Sequence, residues 1–330
     1  MQGTATVPRI RPKPQAYLRV GYACNSRCTF CCAQGGWLTP MRKLEEIKRE
    51  LDRMVSEMDL ESISISGGEP TIHPKILDIV RYARDKGFRN IHMNTHARGF
   101  KTPEIVRQYM DAGLNSAMVS IHGHTREIQD GIHRVKGAFD QMIKGVQNIA
   151  ANGLLYRFFT VICRANMDHL PDIVQFAHER FTGFSSMIFC YPVIKELEGF
   201  DKESILIKYS EVKPRIRAVI EKGSEVGVRV LAQLIPPCLL EEHYYLATEF
   251  RRPDFFASEP AVTKFASFIE EDRLLLPACQ SCEARNFCPR IQYNYVEHYG
   301  DMEPEIFTPL QGLEYERIPT DAFTRRNISV

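Results

Sequence analysis

The sequence predicts an α/β chain with a parallel sheet covered by helices, followed by a small irregular lobe. Three observations carry that expectation. Six strand–helix units, each about 30 to 40 residues long, follow one another between Ala16 and Gly227. Glycines stand where the helical patterns stop, at Gly87, Gly113, Gly153 and Gly227. After Val230 the rhythm ends and cysteines and prolines take over. Six such units make either a doubly wound sheet or part of an eight-fold barrel, and in both a ligand collects at the carboxyl ends of the strands.

The elements follow in order. Residues 1–15 carry Pro8, Pro12 and Pro14 between Arg9, Arg11 and Lys13, which reads as an extended arm. Ala16–Tyr22 reads as the first strand. Thr39 before Pro40 predicts a helix start, a capping residue and then proline at the first helical position. Leu44, Ile47, Leu51, Met54 and Met58 recur at three and four and form one apolar face. Ser62–Ser66 is a strand, Pro74–Lys86 a helix, Phe88–Asn94 a strand and Pro103–Ala112 a helix. Asn115–Ile121 is the fourth strand. Phe139, Met142, Ile143, Val146 and Ile149 mark a helix ending at Asn152 and Gly153. Leu154–Cys163 is a strand, Asp168–Arg180 a helix and Phe184–Pro192 a strand. Val212, Ile216, Val219 and Ile220 mark the last helix. The expected division is an arm at 1–15, a barrel-type domain at 16–230 and an appended domain at 231–330.

Composition narrows the function. The 330 residues include 42 lysines and arginines against 41 acidic residues, a net charge of +1, which argues against a nucleic-acid binder. Apolar residues at 44% and charged residues at 25% are ordinary globular usage. No apolar run is long enough to span a membrane and no signal peptide is visible, so the expected location is cytoplasmic.

Ten cysteines stand out. In a reducing compartment, clustered cysteines are metal ligands or catalytic groups more often than disulfides. Cys24, Cys28, Cys31 and Cys32 form one group. Cys238, Cys279, Cys282 and Cys288 form another, and Cys163 and Cys190 stand apart. The spacing C-x3-C-x2-C over Cys24, Cys28 and Cys31 puts three thiolates on one tight loop after the first strand. Three thiolates can hold three irons of a 4Fe–4S cube and leave the fourth open. They could also belong to a zinc site completed by a distant residue.

A second motif ends the second strand: Gly67, Gly68, Glu69 and Pro70. The glycines allow a close backbone approach, and Glu69 offers a carboxylate to a cationic amine.

Together, the cysteine loop with Phe30 before its third cysteine and the GGEP segment resemble the radical S-adenosylmethionine enzymes, over roughly residues 16 to 230. The resemblance implies a partial (β/α)6 TIM-like barrel. It implies one 4Fe–4S cluster on Cys24, Cys28 and Cys31, with S-adenosylmethionine chelating the open iron through its amine and carboxylate. Reductive cleavage would then yield a 5′-deoxyadenosyl radical that abstracts hydrogen from a substrate. Cofactor-binding residues carried over by the match are Phe30, Gly67, Gly68, Glu69, Pro70, Asn94, Ser120, Arg164 and Asn166. Asn94 and Thr95 match only in part, because relatives often read TNG where His96 stands here. For Ser120, Arg164 and Asn166 the alternative is an ordinary polar loop residue. An electron donor such as flavodoxin or ferredoxin is implied as a partner.

The group Cys279-x2-Cys282-x5-Cys288, with Cys238 upstream, resembles the auxiliary-cluster extensions known as SPASM and twitch domains. The SPASM pattern stops at Gln292, where another cysteine is expected. Four cysteines therefore imply one fully ligated auxiliary 4Fe–4S cluster, with a structural zinc knot as the alternative. Such a cluster points to oxidation, crosslinking or epimerisation. Cys190 and Cys163, at strand ends, are the candidate hydrogen donors. His92, His96, His122, His124 and His133 are expected in loops after the third and fourth strands, some facing the cavity.

The expected substrate is a ribosomally made peptide. A smaller metabolite such as an aminosugar, dehydrogenated or epimerised, is the alternative, because 330 residues leave no separate leader-binding domain before the first strand. A metal-stabilised binding module without catalysis is the reading from a different class.

Overall fold

A computed structural model describes residues 15–31, 38–193, 202–251, 255–257 and 273–313. Residues 1–14 of the arm expected at 1–15, Cys32 and the residues beyond 313 lie outside the described residues, and Gln15 belongs to the first strand instead.

Eight strands form one parallel sheet: β1 (Gln15–Arg19), β2 (Ser62–Ser66), β3 (Asn90–Thr95), β4 (Ser116–Ser120), β5 (Leu155–Val161), β6 (Phe184–Cys190), β7 (Val230–Gln233) and β8 (Phe255–Ala257). Their spatial order is β7-β6-β5-β4-β3-β2-β1-β8. Each new strand joins on the same side of its predecessor from β1 to β7. A doubly wound sheet would reverse direction at a switch point, so this order selects the barrel-type winding. β8 pairs with β1, as in an eight-fold barrel, but no pairing joins β7 to β8 among the described residues. The barrel is partial, with an open seam.

The helices are α1 (Leu44–Glu57), α2 (Ile76–Asp85), α3 (Pro103–Ala112), α4 (Arg126–His133), α5 (Ala138–Ala151), α6 (Leu170–Arg180), α7 (Lys202–Ile205) and α8 (Tyr209–Val226). Four departures from the sequence reading have physical causes. Thr39 and Pro40 do not start a helix; α1 begins at Leu44, with Lys43 and Glu46 closing the cap. The preceding segment is tied across the end of the first strand, where the Arg42 N–H donates to Val20 O at 3.1 Å. α4 is an additional helix, capped by the Thr125 hydroxyl at Ile128 N. His133 therefore lies on a helix, and His92 lies inside β3, rather than in loops. The sheet also continues through β7 and β8, so position 231 falls within a strand.

Strand alternation separates two faces. Ala16, Leu18, Ile63, Ile65, Ile91, Met93, Ala117, Val119, Tyr156 and Phe158 are buried and pack beneath the helices. On the other face the register partners toward β1 are polar, with Tyr17 beside Ser64, Arg19 beside Ser66 and His92 beside Ser116, while Met118, Phe159 and Ile188 stand farther along. The Tyr17 hydroxyl donates to Ser66 Oγ at 2.8 Å, and Asn94 Nδ2 donates to the same oxygen at 3.3 Å. A packed barrel would fill this face with branched apolar side chains, whereas a polar inner face suits a bound polar ligand.

His92 illustrates the inner face. Burial and the nearby Arg157 lower its pKa to about 4, and its Nδ1 pairs with the Ser116 hydroxyl. The folded state thus resists a proton that the unfolded chain accepts below about pH 6.5. Stability from this group is present above that pH and is lost as pH falls toward 4. His92→Gln is expected to remove roughly 2 kcal/mol of the acid-side loss, read as urea midpoints at pH 7 and pH 4.5. An unchanged pH slope would exclude this account.

Candidate functional site

The cysteine loop and the GGEP segment meet because β1 and β2 are neighbours and end together. Gly68 N–H donates to Gly21 O at 2.8 Å, and Glu69 N–H donates to Ala23 O at 3.0 Å. The glycines are required by this loop-to-loop contact. A Cβ on Gly68 would stand 2.0 Å from Ala23 O, and one on Gly67, at φ +132°, would stand 2.1 Å from Gly21 O. Gly68→Ala is expected to cost at least about 1–3 kcal/mol and to lower iron retention at the cysteine loop. Thermal unfolding and iron analysis check both; wild-type values in each would remove the stated role of the contact.

Glu69 is 1% exposed. Its Oε1 accepts from Thr71 N at 3.1 Å, the Thr71 hydroxyl at 2.6 Å and the Thr95 hydroxyl at 2.7 Å. Its Oε2 accepts from His96 N at 2.9 Å, with His96 Nδ1 at 3.3 Å. The carboxylate therefore braces the ends of β2 and β3. Pro70 is buried at the first position of the short turn that Glu69 caps.

The cysteine loop is held from beneath by histidines. His96 Nε2 pairs with Asn25 Oδ1 at 2.7 Å, and His133 Nδ1 with Ser26 Oγ at 3.3 Å. Arg98 donates to Ser26 Oγ at 2.8 Å and Asn25 O at 3.2 Å. Arg27 N–H and Thr29 N–H donate to His133 O and Ile132 O, both at 3.0 Å, so the loop is docked on the end of α4. The His122 ring lies 4.7 Å from Phe30, edge to face, and 5.5 Å from the His133 ring. Burial lowers all three histidines, His122 to about 3, so the rings are neutral. Of the brace formed by Asn25, Ser26, His96, Arg98 and His133, the sequence singles out only His96 and His133, as loop histidines near the cavity; the bracing role itself shows only in the fold.

Burial raises the Cys24 thiol to about 11 and pushes Cys28 up further; Cys28 also feels both other thiols of the loop. Such thiols stay protonated unless a cation stabilises the thiolate. Arg98 acts in that direction on both. Three mutually close, half-buried thiols beside a guanidinium fit a cluster with one iron left open.

The remaining predicted residues divide. Asn94 and Ser120 lie on the inner-face rows, with Ser120 beside Phe159. Asn166 is fully buried; its Nδ2 donates to His122 O at 3.0 Å and Val161 O at 2.9 Å, and its Oδ1 accepts from Cys163 N at 2.8 Å. Arg164 turns to α8, bridging Glu211 at 2.6 and 3.1 Å. Among the described residues neither side chain hydrogen-bonds to Phe30 or the cysteine loop; Asn166 donates to the carbonyl of His122, whose ring meets Phe30. Cys190 pairs in register with Val161 and Gln233, and its thiol donates to Tyr191 O at 3.2 Å. Cys163 is fully buried, which raises its thiol to about 11.

The other four cysteines converge. Cys238, Cys279, Cys282 and Cys288 line one cavity with Pro236, Ile291 and Phe307, and among the described residues no carboxylate or imidazole lines it. Burial and the neighbouring thiols raise Cys238 to about 12, and burial raises Cys288 further. Arg285 and Arg290 also line the cavity and would offset thiolate charge. This donor set fits a closed, four-thiolate group. The lobe holding it includes β9 (Arg273–Leu274), β10 (Ile291–Gln292) and α9 (Tyr293–Tyr299). Gln292, where the SPASM pattern expects cysteine, instead donates to Pro192 O at 2.7 Å and ties the lobe to the end of β6. Glu303 accepts from Tyr209 N at 2.9 Å and from the Ser210 and Tyr295 hydroxyls.

Comparison with known proteins agrees with this geometry. The family model described as "Radical SAM superfamily" matches residues 18–177. A probable GTP 3',8-cyclase of Metallosphaera sedula is 29% identical over 171 residues, 51% of this chain and 53% of that protein. The mycofactocin maturase MftC of Mycobacterium tuberculosis is 30% identical over 162 residues, 47% of this chain and 39% of that protein. The matched region thus spans about half or less of these two curated relatives. Streptococcus suis SuiB bound to S-adenosylmethionine has a TM-score of 0.62 at 15% identity, covering 90% of this chain and 76% of that one. SuiB bound to its precursor peptide SuiA gives a TM-score of 0.64 at 14% identity, over 90% of this chain and 75% of that one. No helix among the described residues is long and apolar enough to cross a membrane.

Proposed function

Residues 18–177 place this chain in the radical SAM superfamily, and from that premise we propose that it oxidises, crosslinks or epimerises residues of a ribosomally made peptide. When bound, the three-thiolate cluster and S-adenosylmethionine together supply a 5′-deoxyadenosyl radical, a hydrogen-atom abstractor. Cys24, Cys28 and Cys31 would hold the first cluster, and Cys238, Cys279, Cys282 and Cys288 an auxiliary one. Gly67 and Gly68 set the distance between the cysteine loop and β2. Phe30 and His122 wall the site, and the inner-face side chains of Tyr17, Ser66, Asn94 and Ser120 would orient polar groups of the ligand. Cys190, on the inner row at the end of β6, would return a hydrogen atom where a centre is inverted; Cys163 is the second candidate. A flavodoxin or ferredoxin would serve as electron donor.

The observation that carries this reading is the four-thiol cavity anchored to the end of β6. Cys238, Cys279, Cys282 and Cys288 would hold a closed cluster there, and the chemistry it would supply is one-electron acceptance. Peptide substrates are favoured because MftC is a maturase and SuiB binds a precursor peptide. The second reading, a small metabolite, is favoured by the GTP 3',8-cyclase relatives and by Arg157, buried at 8% exposure on β5.

The experiment incubates the reconstituted, reduced protein in D2O with peptides encoded beside its gene. Loss of two hydrogens indicates oxidation or crosslinking, and one incorporated deuteron indicates epimerisation. S-adenosylmethionine cleavage with no mass change in any such peptide would sink the peptide reading and leave the metabolite one.

A further inference from the structure

We propose that His124, His169 and Asp172 form a further metal site, separate from both cysteine sets, that takes a divalent transition ion such as Zn2+ or Co2+. One ligand atom from each residue lies within 4.8 Å of the others. The fold brings them together from two successive units. His124 follows β4 and precedes Thr125, the cap of α4; His169 ends the single turn before α6, and Asp172 lies in the first turn of α6. The two imidazole centroids are 5.2 Å apart.

Two details point to a ligand rather than to a solvated cluster. His124 Nδ1 is buried and has no hydrogen-bond partner among the described residues. Leaving such an atom unpaired is unfavourable, and a coordinated ion would remove that cost. His169 Nδ1 lies 3.1 Å from Asp172 Oδ2, so two of the three donor groups already face one another across the gap an ion would fill.

The donor types select the ion. Two imidazoles and one carboxylate suit Zn2+, Fe2+ or Co2+ rather than Mg2+ or Ca2+. Three protein ligands leave one tetrahedral position for water or a substrate group. The site stands beyond the carboxyl ends of β4 and β5, at the end of the sheet that carries the cysteine loop.

The test uses the reconstituted protein with both cysteine sets filled, dialysed against micromolar Zn2+ or Co2+. Metal analysis gives the stoichiometry. Low-temperature EPR of Co2+, with the clusters oxidised and diamagnetic, reports the ligand field. The expected result is about one added ion per chain. Binding should be at least ~10-fold weaker in His124→Ala and His169→Ala, and weaker by a similar factor in Asp172→Asn. His178→Ala, an exposed histidine of α6, should bind as wild type. No added ion in the wild type, or full retention by the histidine variants at unchanged iron content, would overturn the proposal. Should a histidine variant lose iron as well, the exposed Asp172 decides: wild-type affinity in Asp172→Asn overturns the three-ligand site, and weakened affinity supports it.

Discussion

Replacing Cys24, Cys28 and Cys31 together with alanine is expected to lower reconstituted iron from about eight to about four per chain. S-adenosylmethionine cleavage should fall to background. The two cysteine sets sit in different parts of the fold, one on the loop after β1 and one in the lobe around β9 and β10. They should therefore fill independently. The triple variant removes only half-buried side chains, so the apolar faces of β1 and β2 stay intact. Iron near four with normal unfolding would confirm two independent groups. Iron near four in the wild type, with zinc retained, would make the second set a zinc knot and weaken the oxidative reading. Loss of all iron in the variant would mean that the sets depend on each other.

Glu69→Ala is expected to cost about 3–5 kcal/mol, among the largest stability effects in the chain. Four donors from Thr71, Thr95 and His96 converge on this one buried carboxylate. Removing it leaves each of them unpaired away from water. Glu69→Gln keeps the shape but turns an amide N–H2 toward one set of donors, and about 1–3 kcal/mol is expected. Thr95→Val removes one donor to the carboxylate and the acceptor of Ala97 N–H, and should cost less than Glu69→Ala. Urea unfolding of the three variants, with iron content in parallel, gives the ranking. Wild-type stability in Glu69→Ala would show that the carboxylate is kept for the bound amine and not for the brace between β2 and β3.

Much of the site was legible because it is written in short range. The C-x3-C-x2-C loop and GGEP each lie within eight residues, and β1 and β2 are consecutive strands, so adjacency follows from parallel pairing. Ser62–Ser66 and Pro103–Ala112 were placed to the residue, since alternation and a Thr–Pro start with a glycine stop are local signals. α4 was not read: it is eight residues long with Gly131 inside, and only Ile128 and Ile132 mark its apolar face. β7 and β8 are four and three residues long, below what periodicity resolves.

The sequence alone determined the cysteine spacing, the glycines at the motif and the α/β rhythm, because each depends on neighbours in the chain. Tertiary structure decided the rest. It chose barrel winding over double winding, since strand order is set by which edges meet. It turned Glu69 into a brace and Asn166 into a loop tie, because hydrogen-bond partners 26 and 44 residues away arrive only on folding. It sent Arg164 to Glu211 on α8, 47 residues on, and gathered Cys238 with the three cysteines that follow it about forty residues later. A buried polar group takes whichever partner the packed chain delivers, and that delivery is a property of the fold, not of the local sequence.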